Sequence, residues 1–143
     1  MNDERVLQAL DELALSLVAI TARAIAEHAG ELDMTLIQWR VLVILGQRRD
    51  PPRVGDVAAE IGSSLPSTSR LLRRLERRGL ISTARDERDR RATLVSLTPH
   101  GAATRRKVIQ ARQRHIASAL NSGAQLPDEL VPGLQRIVQA LAS

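Results

Sequence analysis

The segment VGDVAAEIGSSLPSTSRLLRRLERRG, residues 54–79, decides the fold. Its opening, VGDVAAEI, reads as a short helix stopped by Gly62. Ser64 then starts a second helix. A serine is a good N-cap, and Pro66 in the first turn gives up an amide that has no intrahelical partner in any case. Gly79 ends it. A short helix, a glycine-containing turn and a second helix make the helix-turn-helix arrangement. On a wheel of about 100° per residue, Thr68, Leu71, Leu72 and Leu75 cluster within about one-third of the second helix's circumference. Opposite them lie Pro66, Ser69, Arg70, Arg73 and Arg77, with Arg74 at the edge. One face therefore packs on a core. The other presents short hydroxyls near the N-terminus and guanidinium groups along its length. A helix of that form fits the major groove of duplex DNA, where its first turns meet base edges and arginines meet guanine or phosphate. The plain alternative is a solvated basic face on an ordinary surface helix.

The following residues weigh against that alternative. Two short β-like runs, residues 80–84 and 92–97, flank the charged segment RDERDRR at 85–91. Thr93 and Val95 are β-branched, and Leu94 and Leu97 add apolar bulk. Such a hairpin tip can place an arginine in the minor groove, where narrow A·T tracts concentrate negative potential. A helix-turn-helix followed by a wing is far more specific than either part.

Charge is concentrated in the same place. The chain has 143 residues and a net charge of +5. Nine of its 21 Lys and Arg residues fall in the window 70–91, against four acids there, so that window alone carries +5 and the remainder is neutral. All nine are arginine, the side chain suited to bidentate contacts with phosphate and guanine.

Outward from this centre, Thr35 opens a helix with Gln38 as its capping-box partner, and the helix runs through WRVLVIL to Gly46. It is apolar on most faces and should be buried. Residues 4–30 carry Val6, Leu10, Leu13, Leu17, Ile20 and Ala24 at spacings of three and four, a long amphipathic helix with Gly30 as its stop. Thr98 and Pro99 read as the N-cap and first residue of a long helix reaching about 120. A last helix spans about 128–141, with Pro132 marking a kink or a late start. The expected fold class is mainly α with a small β-hairpin wing: a winged helix-turn-helix lobe at about 35–98, flanked by long dimerisation helices at 4–30 and 99–143.

Composition excludes other classes. Hydrophobic residues at 43% and charged residues at 26% suit a globular domain. No apolar run approaches the roughly 20 residues of a membrane span, and the acidic, amphipathic start is unlike a signal peptide. A cytoplasmic protein with no membrane partner is expected. The absence of cysteine removes disulfides and thiolate metal sites. His28, His100 and His115 are far apart and lack the spaced partners of a metal or catalytic site. Neither a Gly-rich phosphate loop nor a nucleophile elbow occurs, so no cofactor, metal or enzymatic activity is expected. An RNA-binding winged helix is the other rival. With no Phe or Tyr and a single Trp, the chain lacks stacking platforms for single strands. A wing that binds another protein would have no need for the run of arginines on the exposed helix face.

The stretches TLIQWRVLVIL (35–45), VAAEIG (57–62), STSRLLRRLERRGLI (67–81) and RDERDRRATLVSLTPHG (85–101) resemble the MarR (multiple antibiotic resistance regulator) family of bacterial winged-helix regulators. The wing followed by LT-x-x-G is the specific part of the likeness. The resemblance implies a homodimeric DNA-binding transcriptional regulator on a pseudo-palindromic operator, usually a repressor, with its recognition helix at about 64–78 and wing at about 81–98. Ser67, Ser69 and Arg70 fall where that family makes groove and backbone contacts, and Arg88 and Arg90 fall at the wing tip. Asp89 and Arg91 are an alternative, structural ion pair of the wing. The full set of candidate DNA contacts is Ser64, Pro66, Ser67, Thr68, Ser69, Arg70, Arg73, Arg74, Arg77, Arg88, Arg90 and Arg91, although Thr68 sits on the inner arc of the wheel. The chain departs from the family at Arg73, where members often carry an acid that braces a wing arginine. Either the wing is braced otherwise or Arg73 contacts DNA, and DNA contact is the favoured reading.

Leu10, Leu13, Leu17, Ile20, Val108, Ile109, Ile116, Leu120, Leu134, Ile137, Val138 and Leu141 are candidates for the dimer interface and core. Two-fold symmetry would set two recognition helices about 34–36 Å apart, one DNA turn. The family often responds to small aromatic or phenolic effectors bound between the dimerisation helices and the winged lobe. Trp39 and His28 lie in that neighbourhood, with plain core packing the stronger reading for Trp39 and a surface or capping role the stronger one for His28. Without cysteine, the thiol-oxidation sensing of one branch of the family is excluded.

Overall fold

The computed structural model describes residues 2–29, 33–123 and 125–143. The chain runs α1 (Asn2–Ala29), α2 (Leu36–Gln47), α3 (Val54–Ile61), α4 (Leu65–Arg77), β1 (Ile81–Arg85), β2 (Thr93–Leu97), α5 (Pro99–Asn121) and α6 (Leu130–Leu141). Its contacts divide it into two compact units, residues 1–113 and 114–143, with the division falling inside α5.

Local chemistry sets most boundaries. Thr35 caps α2: its Oγ1 accepts the Gln38 amide at 3.2 Å, and Gln38 Oε1 accepts the Thr35 amide at 3.0 Å. Ser64 caps α4 by accepting the Ser67 amide at 3.3 Å, with Pro66 in the first turn where no amide is needed. Between them, α3 closes on Gly62, whose φ of 67° is left-handed, and Ser63 donates back to the Ala58 carbonyl at 3.0 Å. That bond pattern forces the sharp turn into α4 and favours the one residue type without a Cβ. The stop expected at Gly30 lies outside the described residues.

The same device ends α4 and corrects the start of the first strand. Leu80 was expected to open the strand; instead its amide donates to the Leu75 carbonyl at 3.0 Å and its side chain is fully buried. The hairpin starts at Ile81 and pairs antiparallel, Ile81 with Leu97 through Arg85 with Thr93. Ala92, expected in the second strand, belongs to the tip, where it donates to the Asp89 carbonyl at 2.9 Å. Pro52 and Arg53 run beside β2: Val95 donates to the Pro52 carbonyl at 2.9 Å, and Arg53 forms an isolated antiparallel bridge with Leu94.

Thr98 explains the LT-x-x-G signature physically. Its Oγ1 caps α5 by accepting the Gly101 amide at 3.0 Å and donates to the Gly79 carbonyl at the exit of α4. A Cβ on Gly101 would lie 1.9 Å from the Leu80 carbonyl oxygen, so only glycine lets α5 cross this turn. Pro132 sits in the first turn of α6, which therefore starts late, at Leu130.

The core of the first unit joins every element in it. Ala24 and Ile25 of α1, Trp39 and Leu42 of α2, Val57 of α3, Leu72 and Leu75 of α4, Ile81, Val95 and Val108 form one buried cluster. α1 contributes only its C-terminal turns, and Leu7 and Leu15 further up are exposed. In the second unit, α6 buries no residue; Val138 is 65% and Leu141 84% exposed.

Candidate nucleic-acid interface

The inward leucines of α4 orient its outer face. Leu72 and Leu75 are buried, and Arg70, Arg73, Arg74 and Arg77 project to solvent. Among the described residues Arg73, Arg74 and Arg77 make no side-chain hydrogen bond or ion pair, and Arg70 spends one N–H on Ser67 Oγ at 3.3 Å. Four guanidinium groups thus remain available on one face. Pro66 is exposed and Ser69 half-buried. Thr68 is corrected. Its side chain is fully buried because position 68 falls on the same face as Leu72 and Leu75, and among the described residues its Oγ1 has no partner. It cannot reach a groove.

Beside this helix stands the wing. Arg88, Arg90 and Arg91 are exposed at its tip. The tip is shaped by two aspartates that accept local amides, Asp86 from Arg88 at 3.0 Å and Asp89 from Arg91 at 3.1 Å. Asp89 therefore meets the Arg91 backbone, and its carboxylate pairs with a different guanidinium, that of Arg53, at 3.7 Å. Arg53 also donates to Asp86 at 2.9 Å. The Arg88 amide, and next the Arg53 guanidinium, hold the Asp86 carboxyl below its ordinary value against an opposing effect of desolvation. Between wing and helix lies a groove of about 430 Å³ lined by Arg53, Gly55, Leu65, Ser69, Arg91 and Thr93, among others. The helix face and the wing tip thus each expose arginines, with the groove between them.

Residues 32–92 match the sequence model of the MarR family. That family is one of transcriptional regulators, not of enzymes. Over 68 residues the chain is 40% identical to the helix-turn-helix-type transcriptional regulator YfiV of Bacillus subtilis (strain 168), a match covering 48% of the chain and 42% of YfiV. The chain thus spans under half the length of that relative. The structure of RV1404 from Mycobacterium tuberculosis superposes with a TM-score of 0.85 at 28% identity, covering 100% of this chain and 96% of that one. The MepR–DNA complex from S. aureus shares the fold at a TM-score of 0.63 and 19% identity, over 94% of this chain and 98% of that one.

Several supports of this surface escaped the sequence reading. Glu76 on α4 accepts the Thr83 hydroxyl of β1 at 2.8 Å, tying α4 to the wing. Arg78, counted with the basic window, turns inward and donates to Gln38 Oε1 and the Asp33 carbonyl, each at 3.4 Å. Arg48 pairs with Glu60 at 2.6 Å across α2 and α3. Of the two effector candidates, Trp39 is 4% exposed within the core cluster. His28 lies on the exposed side of the last turn of α1, 3.9 Å from the Glu27 carboxylate.

Proposed function

We propose that the chain is a sequence-specific duplex-DNA-binding transcriptional regulator that acts as a homodimer on a pseudo-palindromic operator. The recognition helix α4 enters the major groove through Arg70 and Arg73, and the wing reaches the minor groove through Arg88, Arg90 and Arg91. One observation carries this reading. Arg73, Arg74 and Arg77 are exposed on one helix face and unspent on other described residues, beside a wing whose tip arginines are exposed too. A merely solvated surface gives no reason for exposed arginines on two adjacent elements. MepR, whose fold this chain shares, was crystallised with DNA, which supports the same partner here.

Exposed apolar side chains support the dimer. Leu7, Leu13 and Leu15 on α1 and Leu134, Val138 and Leu141 on α6 are left open in a single chain, and large open apolar patches mark interaction surfaces. Family resemblance supports the remaining parts: repression in the DNA-bound state and release by a small aromatic or phenolic effector. Genome-wide binding-site mapping of the tagged protein, followed by salt titration on the recovered duplex, tests the reading. A palindromic motif is expected, with affinity falling linearly in log salt. Binding without any preferred motif, or preference for single strands, would overturn it.

A further inference from the structure

We infer that Arg53, at the N-cap of α3, is the positioning residue that sets the wing's angle to the recognition helix, by bridging Asp86 and Asp89. Its effect on DNA binding rests on the function proposed above; its effect on the wing does not.

Arg53 is fixed before its side chain reaches anything. Pro51 and Pro52 restrict the chain leading into it. Its amide donates to Asp56 Oδ2 at 3.0 Å, which locks the start of α3. Its backbone pairs with Leu94, and the neighbouring Pro52 carbonyl takes the Val95 amide, so the base of the wing is already held. From that anchor the guanidinium reaches outward to the tip, 2.9 Å from Asp86 and 3.7 Å from Asp89. The wing is thereby tied at two levels to the segment that launches the helix-turn-helix. A two-stranded hairpin alone is marginally stable in water, so its tip needs such a tie. A planar five-donor fork can serve two carboxylates at once, which an ammonium does less well.

The bridge also replaces the brace whose absence Arg73 made apparent. The polarity is reversed: the acids sit in the wing and the cation lies outside it. Arg73 is then released from any structural duty and is free for the groove.

Arg53 is 47% exposed, so a direct phosphate contact is the competing explanation. Asp86→Asn separates the two by sign. This change removes an anion from a surface that faces a polyanion, so a purely electrostatic role for these groups requires tighter DNA binding. It also spares the turn, because the side-chain amide oxygen can still accept the Arg88 amide. The bridge requires weaker binding.

The experiment uses the intact chain in two assays. The first is trypsin cleavage at Arg88, Arg90 and Arg91 without DNA, with hydrogen exchange at 86–92 alongside. The second is anisotropy with a fluorescein-labelled duplex of mixed sequence. Arg53→Gln and Asp86→Asn should each speed wing cleavage about two- to five-fold, the scale of a partly exposed ion pair, and both should weaken duplex binding. Arg53→Lys should recover part of each loss. Unchanged cleavage, or tighter binding by Asp86→Asn, overturns the bridge. Wild-type protein that fails to bind any duplex overturns the proposed function instead, and the cleavage result still judges the bridge.

Discussion

Replacing Arg73 by alanine tests the proposed recognition surface where the chain departs from the MarR pattern. The fold should not notice the change. Arg73 is exposed and bonded to no described residue, and alanine is the better helix former. All of the effect should therefore fall on DNA. A bidentate arginine–guanine contact contributes about 1–3 kcal/mol of discrimination. A homodimer loses it in both half-sites, about 2–6 kcal/mol in total, so even the lower end is about a thirty-fold loss of operator affinity. A phosphate contact behaves differently. It lowers affinity on all sequences alike and flattens the log–log salt slope by about 0.9 per contact, or about twice that for the dimer. Anisotropy titrations on operator and scrambled duplex at several salt concentrations separate the two, with Arg73→Lys as the control that keeps charge and loses the fork. Loss on the operator alone, not restored by lysine, identifies base reading. Equal affinity and equal slope for wild type and Arg73→Ala would refute the reasoning, because the helix face would then point away from the duplex.

Other perturbations probe neighbouring parts. Arg90→Ala should weaken binding while leaving the selected motif unchanged, as expected of a minor-groove or phosphate contact; a new preferred motif in a selection experiment counts against it. Gly101→Ala drives a methyl group into the Leu80 carbonyl, so chemical denaturation should show a loss of at least about 1–3 kcal/mol, the overpacking range, or no folded protein. Replacing Val138 and Leu141 by Glu should shift sedimentation from dimer to monomer; an unchanged dimer would place the interface elsewhere. The Asp86 carboxyl is held low in the folded chain, so its contribution is complete above its ordinary value of 3.8 and disappears as pH falls through the depressed value. Wing protection should accordingly stay flat from neutral pH to about 5. Protection lost already between pH 7 and 5 would assign the control to another group.

What the sequence revealed and what it hid divide along chain separation. Thr35, Gly62 and Ser64, and Thr98 in its cap on Gly101, act on amides or carbonyls a few residues away, so their positions alone announced where helices begin and end. The outward arginines of α4 were legible for the same reason, since helical periodicity carries leucine and arginine to opposite sides. Thr68 was legible too, and its place on the inner arc should have outweighed its place in the first turns. Arg53 was not legible. Its partner Asp86 is 33 residues away, and no local pattern distinguishes that arginine from others in a basic chain. The Asp89–Arg91 ion pair that the resemblance offered as an alternative does not form; two residues of separation suit a carboxylate accepting an amide.

The single indole at position 39 makes the chain its own spectroscopic probe. It is shielded among α1, α2 and the winged helices, and neither Tyr nor Phe competes with it. Its emission should shift to the red when residues 1–113 lose their packing and stay silent while residues 114–143 rearrange. An unfolding curve read from that emission therefore reports one unit, and its difference from the curve read by circular dichroism isolates the behaviour of the other.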